Sequence, residues 1–270
     1  MAAAADRAET SEVLYEVADQ VATITLNRPD SQNTISRPML EALSTRLLDA
    51  NQDSEVRAVV ITGSGRFFCA GLDLRGGGIA GGLSEQRASP ATLDLRNAPP
   101  TVLHGLDTPT ICALNGSAAG YGMDLALGCD IRIMADSAKL AAAFTARGVV
   151  PESGGTWLLP RLIGWSKAAE IIFTGRTLLA DECERLGLVS RVVPADQTLA
   201  AAQALGRDIA ANAPLAVQAS KRMMRMGMNE TFDDHVHHVF LQLLPLFQSA
   251  DFKEGMASFM EKRKPSFTGR

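Results

Sequence analysis

Residues 110–128 read Thr110-Ile111-Cys112-Ala113-Leu114-Asn115-Gly116-Ser117-Ala118-Ala119-Gly120-Tyr121-Gly122-Met123-Asp124-Leu125-Ala126-Leu127-Gly128, and this stretch decides the fold. The apolar run 110–114 suits a buried strand, Asn115-Gly116 turns the chain, and roughly 119–128 has helical character. Ile131-Arg132-Ile133-Met134 then returns as a strand. Upstream, Arg57-Ala58-Val59-Val60-Ile61-Thr62 is a second continuous apolar run, ended by Gly63-Ser64-Gly65, as in a strand buried on both faces of a parallel sheet. Strand, turn and helix recur, so the core is α/β. The chain enters through alternating Val13, Tyr15 and Val17, then Ala18-Asp19-Gln20, then 21–26, a hairpin pattern. Ser36, with Pro38 just inside and Leu40, Leu43, Leu47 and Leu48 following, predicts an N-capped amphipathic helix of about four turns. After about residue 155 strand signals fade except at 189–193, and helical patterns cover 155–163, 166–174, 181–186, 195–212, 214–227, 231–248 and 251–263.

Composition narrows the class of protein. The 270 residues are 46% apolar and 21% charged, typical of a globular chain of one large or two small domains. A net charge of −4 and 5% aromatics argue against a nucleic-acid partner, because neither a basic footprint nor stacking platforms are present. Cys69, Cys112, Cys129 and Cys183 lack disulfide or zinc spacing, so we expect buried thiols and no metal. The opening MAAAADRAETSE reads as a short disordered tail rather than a signal peptide, and no apolar run is long enough to span a membrane, which makes a cytoplasmic location the default. Residues 75–100, rich in Gly, Ser and Pro, form an expected mobile loop. Residues 76–81 satisfy GxGxxG but lack the preceding buried strand and following helix of a dinucleotide site. His235, His237 and His238 read as solvated or interface histidines rather than metal ligands. Met223, Met224, Met226 and Met228 read as core or interface filler.

Two turns of small residues follow strands: Phe67-Phe68-Cys69-Ala70-Gly71-Leu72-Asp73-Leu74 and 115–124. Small side chains let a ligand approach backbone N–H groups, and a helix starting at 119–121 would aim its positive end at a developing oxyanion. Taken singly, close packing of helix on sheet explains each turn as well; two converging turns would form an oxyanion hole. Asp124 is the sole charge in 108–129 and is either paired, with Arg132 or Arg147, or kept for proton chemistry at raised pKa. Glu152, in Pro151-Glu152-Ser153-Gly154-Gly155, leads into the helix containing Trp157, where a first-turn acidic residue also suits the dipole.

The segments FFCAGLDL, NGSAAGYGMDLALGCD, AAAFTARGVVPESGGTWLLPRLIG and GMASFMEKRKPSF, in that order, resemble the crotonase (enoyl-CoA hydratase/isomerase) family over about 12–268. The resemblance implies an α/β spiral of ββα units over 12–200 and a helical C-terminal trimerisation region over 201–270. It also implies an acyl-CoA thioester substrate, no cofactor beyond the coenzyme A of that substrate, and a homotrimer or dimer of trimers. By the same resemblance the N–H groups of Leu72 and Tyr121 hold the thioester carbonyl, beside the small residues Ala70 and Gly120, with Tyr121 replacing a usual glycine. Arg28 and Pro29 match a motif lining the CoA site, Gly71 and Asp73 share the turn of Ala70, and Phe259 and Lys262 match positions reaching CoA from a neighbouring subunit.

Hydratases of this kind use two glutamates. Asp124 stands at the first position and Phe144, which transfers no proton, at the second, whereas Glu152 matches a carboxylate used by some isomerases of the family. The reading that follows is double-bond isomerisation with Glu152 as base and Asp124 assisting or fixing geometry. Hydration by an Asp124/Glu152 pair is the alternative, and a non-catalytic acyl-CoA-binding protein, with both carboxylates bridged to Arg132 and Arg147, is a third.

Overall fold

The computed structural model describes residues 11–73 and 98–270. The expected tail up to residue 10, residues 75–97 of the expected loop 75–100, and the GxGxxG match lie outside the described residues. Strands β1 (Val13–Ala18) and β2 (Val21–Leu26) pair antiparallel, with Val13 opposite Leu26. Asp19 and Gln20 between them sit at φ 50° and 63°, the left-handed two-residue turn whose twist matches that of the strands. Ser36 caps helix α1 (Arg37–Gln52), its hydroxyl oxygen accepting from the Met39 N–H at 3.1 Å. Met39, Leu43, Leu47 and Ala50 form the buried stripe of that helix.

The main sheet runs β1-β2-β3-β4-β6-β9, with β3 (Ala58–Gly63), β4 (Thr110–Leu114), β6 (Ile131–Ala135) and β9 (Arg191–Val193) all parallel to β2. Period-two alternation splits β3 between two cores: Val59 and Ile61 join Ile24, Leu26, Met39 and Leu43, while Ala58 and Val60 face Ile111, Ala113 and Ile133. A second sheet, β5 (Ala118–Ala119), β7 (Lys139–Ala141) and β8 (Thr177–Leu179), runs in that order. The two units that start at β4 and β6 each send one strand to the main sheet, a short one to the second sheet, and then a helix. The helices after α1 are α2 (Pro99–Gly105), α3 (Tyr121–Gly128), α4 (Gly155–Ile163), α5 (Trp165–Thr174), α6 (Ala180–Arg185), α7 (Thr198–Ala210), α8 (Pro214–Gly227), α9 (Phe232–Leu246) and α10 (Ala250–Glu261).

Helix α7 covers the outer face of the main sheet through Ala202, with Leu205 and Ile209 alongside. Each fully buried aliphatic side chain there contributes about 1.5–3 kcal/mol. Gly206 permits the close approach, since a Cβ on it would stand 3.0 Å from Val21 Cγ1. The division expected at residue 200 therefore falls inside a helix that packs on the sheet. Helix α8 is fastened to the core by cations: Lys221 Nζ lies 2.7 Å from Asp130, and Arg222 and Arg225 flank Asp107 at 2.5 and 3.2 Å. Among the described residues no helix is long and apolar enough to cross a membrane. All four cysteines are buried free thiols.

Candidate active site

Two asparagine side chains set the loop that leaves β3. Asn33, fully buried, donates from Nδ2 to the Ser64 and Phe67 carbonyls at 2.9 and 2.7 Å and accepts the Arg28 N–H at 2.8 Å. Asn115 accepts the Gly63 N–H at 3.0 Å and donates to the Gly65 carbonyl at 3.1 Å. Beyond this loop Cys69 bridges Ala118, with the Ala119 N–H donating to the Cys69 carbonyl at 3.0 Å, so the two small-residue turns lie side by side. Gly71 then turns the backbone at φ 109°, a conformation that side chains rarely adopt, 3.1 Å from the Ala119 carbonyl measured from an ideal Cβ.

Residues 71 and 73 spend their bonds on Ile35: the Gly71 carbonyl accepts the Ile35 N–H at 2.8 Å and the Asp73 N–H donates to the Ile35 carbonyl at 3.0 Å. In such a parallel bridge the N–H of the middle residue, Leu72, points to the other side, where it meets no acceptor among the described residues. The second turn ends in the same way. Tyr121 opens α3, ahead of the first ladder bond from the Asp124 N–H to the Gly120 carbonyl, and its own N–H has no acceptor among the described residues. An ideal Cβ on Gly71 lies 3.9 Å from the Tyr121 nitrogen, which places the two donors on adjoining strands of backbone. Two unengaged N–H groups, one of them at a helix N-terminus, can hold an oxygen that gains negative charge.

Asp124 lies on α3, three residues beyond Tyr121, and is 1% exposed. Its Oδ2 accepts the Ser153 and Gly155 N–H groups at 3.3 and 3.2 Å, fastening the turn that bears Glu152 to α3. No side chain fits at residue 155, because a Cβ there would stand 2.2 Å from Asp124 Oδ1. Burial pushes the Asp124 carboxyl up to about 7; the two N–H donors pull against this and the charge of Glu152 adds to it. Neither arginine named as a partner reaches it. Arg132 donates to the Leu188 and Cys129 carbonyls and Arg147 to the Ala143 carbonyl, which removes the premise of the non-catalytic reading. Glu152 is exposed and makes no hydrogen bond or ion pair among the described residues.

The Asp124 environment has a measurable consequence. With a carboxyl at about 7 in the fold against 3.8 ordinarily, the native state binds the proton more tightly than the unfolded chain, so stability falls as pH rises from about 4 to about 7 and is flat above. Asp124→Asn keeps a carbonyl oxygen for both donors and removes the titration. Between pH 5 and pH 8 the wild type should lose on the order of 2 kcal/mol more than this variant in denaturant unfolding. Equal losses would place the carboxyl at its ordinary value.

The other candidate residues divide. Ala70, Leu72 and Asp73 line a cleft of about 290 Å³ with Asp30, Ser31, Gln32 and Thr34. Arg28 is fully engaged: Nε lies 3.1 Å from Glu12, Nη2 3.0 Å from Asp73, and Nη1 donates to the Thr34 carbonyl at 2.6 Å. It therefore buttresses the wall of this cleft, and Pro29 opens the single turn Pro29–Ser31 beside it. Phe144, buried, has a ring carbon 4.0 Å from an ideal Cβ on Gly120. Tyr121 is 6% exposed. Phe259, 79% exposed, and Lys262, at φ 53° just past α10, stand out from the surface instead of joining these groups. Away from the site, His235 and His238 both lean on Glu230, Nδ1 at 3.2 and 2.9 Å, and among the described residues no group of three or more His, Cys, Asp or Glu could hold a metal ion.

A pair of free N–H donors beside two carboxylates suits an enzyme that holds a carbonyl while protons move on neighbouring carbon atoms. The enoyl-CoA hydratase/isomerase profile matches residues 16–270, and the chain belongs to this family, the crotonases. It is 37% identical over 262 residues to a probable enoyl-CoA hydratase of Mycobacterium tuberculosis, covering 96% of this chain and 98% of that one. It is 36% identical over 267 residues to the 1,2-epoxyphenylacetyl-CoA isomerase of Escherichia coli, with 96% and 98% covered. Among solved structures, a putative enoyl-CoA hydratase of Streptomyces coelicolor superposes with a TM-score of 0.88 at 32% identity, over 100% of this chain and 98% of that one. The fold is the crotonase fold, and the protein is an enzyme of the hydratase/isomerase family.

Proposed function

We propose that the protein moves a carbon–carbon double bond in an enoyl-CoA. The thioester oxygen of a 3-enoyl-CoA accepts from the Leu72 and Tyr121 N–H groups. Glu152 takes a proton from C2, the C–H electron pair forms the C1–C2 double bond, and the carbonyl pair moves onto oxygen as a dienolate. Returning the proton to C4 restores the carbonyl and leaves the double bond between C2 and C3. The step as written needs no group beyond the coenzyme A of the substrate, for which the cleft at Ala70, Leu72 and Asp73 offers a polar wall.

One observation carries this reading: Asp124 accepts two N–H groups from the turn of Glu152, tying that carboxylate to the helix whose first N–H is that of Tyr121. Asp124 in this role positions Glu152 and shares its proton traffic. Phe144 supports isomerisation over two-glutamate hydration, since it cannot carry a proton. Hydration by Asp124 and Glu152 is the second reading, favoured by a carboxyl held near neutrality. Family names support both, for a 2,3-dehydroadipyl-CoA hydratase of Escherichia coli is 33% identical over 260 residues. The C-terminal helices, with Phe232, Phe240, Phe259 and Met260 more than half exposed, offer the apolar area for a trimer or a dimer of trimers, and would bring Phe259 and Lys262 to a neighbouring site.

The test offers the purified protein a 2-enoyl-CoA and a 3-enoyl-CoA in parallel. The expected result is double-bond migration with no accumulation of 3-hydroxyacyl-CoA. Steady 3-hydroxyacyl-CoA formation from the 2-enoyl substrate would replace isomerisation by hydration.

A further inference from the structure

The Tyr121 side chain presents a polar atom that the mechanism above does not use. Its hydroxyl is sealed from solvent and has no hydrogen-bond partner among the described residues, although the residue as a whole is 6% exposed. Buried hydroxyls without a partner are rare and costly, and where one persists at a binding site the bound molecule is the natural partner. The surroundings are those of the reacting centre. Burial raises the Tyr121 phenol, with the negative charge of neighbouring groups, Glu152 and Asp124 among them, adding to it, and Asp124 shares the helical face of Tyr121 three residues on. In the proposed pose the thioester carbonyl sits on the Tyr121 N–H, so the acyl chain starts at this residue.

We propose that the Tyr121 hydroxyl is a specificity determinant that hydrogen-bonds an oxygen on the acyl chain, so that the preferred substrates are acyl-CoA thioesters oxygenated within the first few carbons beyond the thioester. This rests on the acyl-CoA reading above. A site built around a polar group discriminates strongly against a ligand that leaves that group unpaired, whereas an all-apolar pocket discriminates weakly. Phenylalanine at 121 would keep the ring and the backbone N–H and remove the hydroxyl alone.

Binding, measured by calorimetry in the Glu152→Gln background so that no turnover intervenes, tests this with three probes: butyryl-CoA, 3-hydroxybutyryl-CoA and 4-hydroxybutyryl-CoA. With Tyr121 present, at least one hydroxylated probe should bind about tenfold to a hundredfold more tightly than butyryl-CoA, and Tyr121→Phe should erase the difference. Equal binding of all three, or a preference that survives in the phenylalanine variant, overturns the proposal. The unliganded Tyr121→Phe protein should melt no lower than its parent, since an unpartnered hydroxyl contributes nothing to the fold; a lowered melting temperature would show the hydroxyl already satisfied and also overturn it. Because these are affinities, they stand apart from the test of isomerisation: double-bond migration without a hydroxyl preference sinks this inference alone, and failure to bind any of the three sinks the acyl-CoA reading itself.

Discussion

Glu152→Gln is expected to lower double-bond migration by about 10²–10⁴-fold while acyl-CoA affinity stays near that of the wild type. Glutamine matches the glutamate in shape but accepts no proton. The exchange should leave the fold intact, because Glu152 is exposed and engages no hydrogen bond or ion pair among the described residues. One secondary effect has a defined sign. The Glu152 charge contributes to the raised Asp124 carboxyl, so its removal should move any residual activity that titrates with Asp124 toward lower pH. Rates measured under saturating and limiting substrate separate a loss in kcat from a change in KM. An active glutamine variant would move the role of base to Asp124.

The second large effect concerns a single N–H group. Tyr121 is the first residue of α3, the helical position where proline is best tolerated because its N–H has no ladder partner. Tyr121→Pro therefore removes one oxyanion donor while the helix persists, and Gly120 before it carries no Cβ to clash with the proline ring. Tyr121→Ala is the matched control, losing the phenol but keeping the N–H. The proline variant should be slower than the alanine variant by about 10²–10³-fold, the cost of one oxyanion-hole donor. Equal rates in the two, with both folded by circular dichroism, would place the carbonyl elsewhere.

How much of this was legible in the sequence varies with the range of the interaction. The Asp19-Gln20 turn, the Ser36 cap and the buried runs at 57–62, 110–114 and 131–134 all announce themselves locally, and the strands form within one residue of those limits. The helices after 155 likewise begin and end within a few residues of their expected limits. The second sheet stayed hidden because its strands are two or three residues long, too short for any periodicity, and Ala118–Ala119 passes for the start of a helix. Helix α2 went unread, its first two residues, Pro99 and Pro100, falling at the end of the expected loop 75–100.

At the site the limit is different. Two glycine-rich turns after strands pointed to converging N–H groups, and the two turns lie side by side in the fold. The partner of Asp124 was missed because a charge search finds side chains, whereas the donors are the backbone N–H groups of Ser153 and Gly155. Asn33 and Asn115, which hold the loop between the turns, gave one available signal: amide residues at the ends of strands that must face one another. Arg28 shows a related limit, since its ion pairs with Glu12 and Asp73, distant in the chain, leave no mark in the motif itself.

Carbon–hydrogen cleavage to an enolate, rather than attack by water, is the chemistry we propose for this site. Nuclear magnetic resonance of a 3-enoyl-CoA with the wild-type protein in deuterium oxide tests it most directly. The expected result is loss of the C2 methylene proton signal of the 3-enoyl-CoA, with exchange to deuterium, together with growth of the 2-enoyl product. A 3-enoyl-CoA left unchanged, its C2 signal intact, while a 2-enoyl-CoA is hydrated to 3-hydroxyacyl-CoA would contradict it.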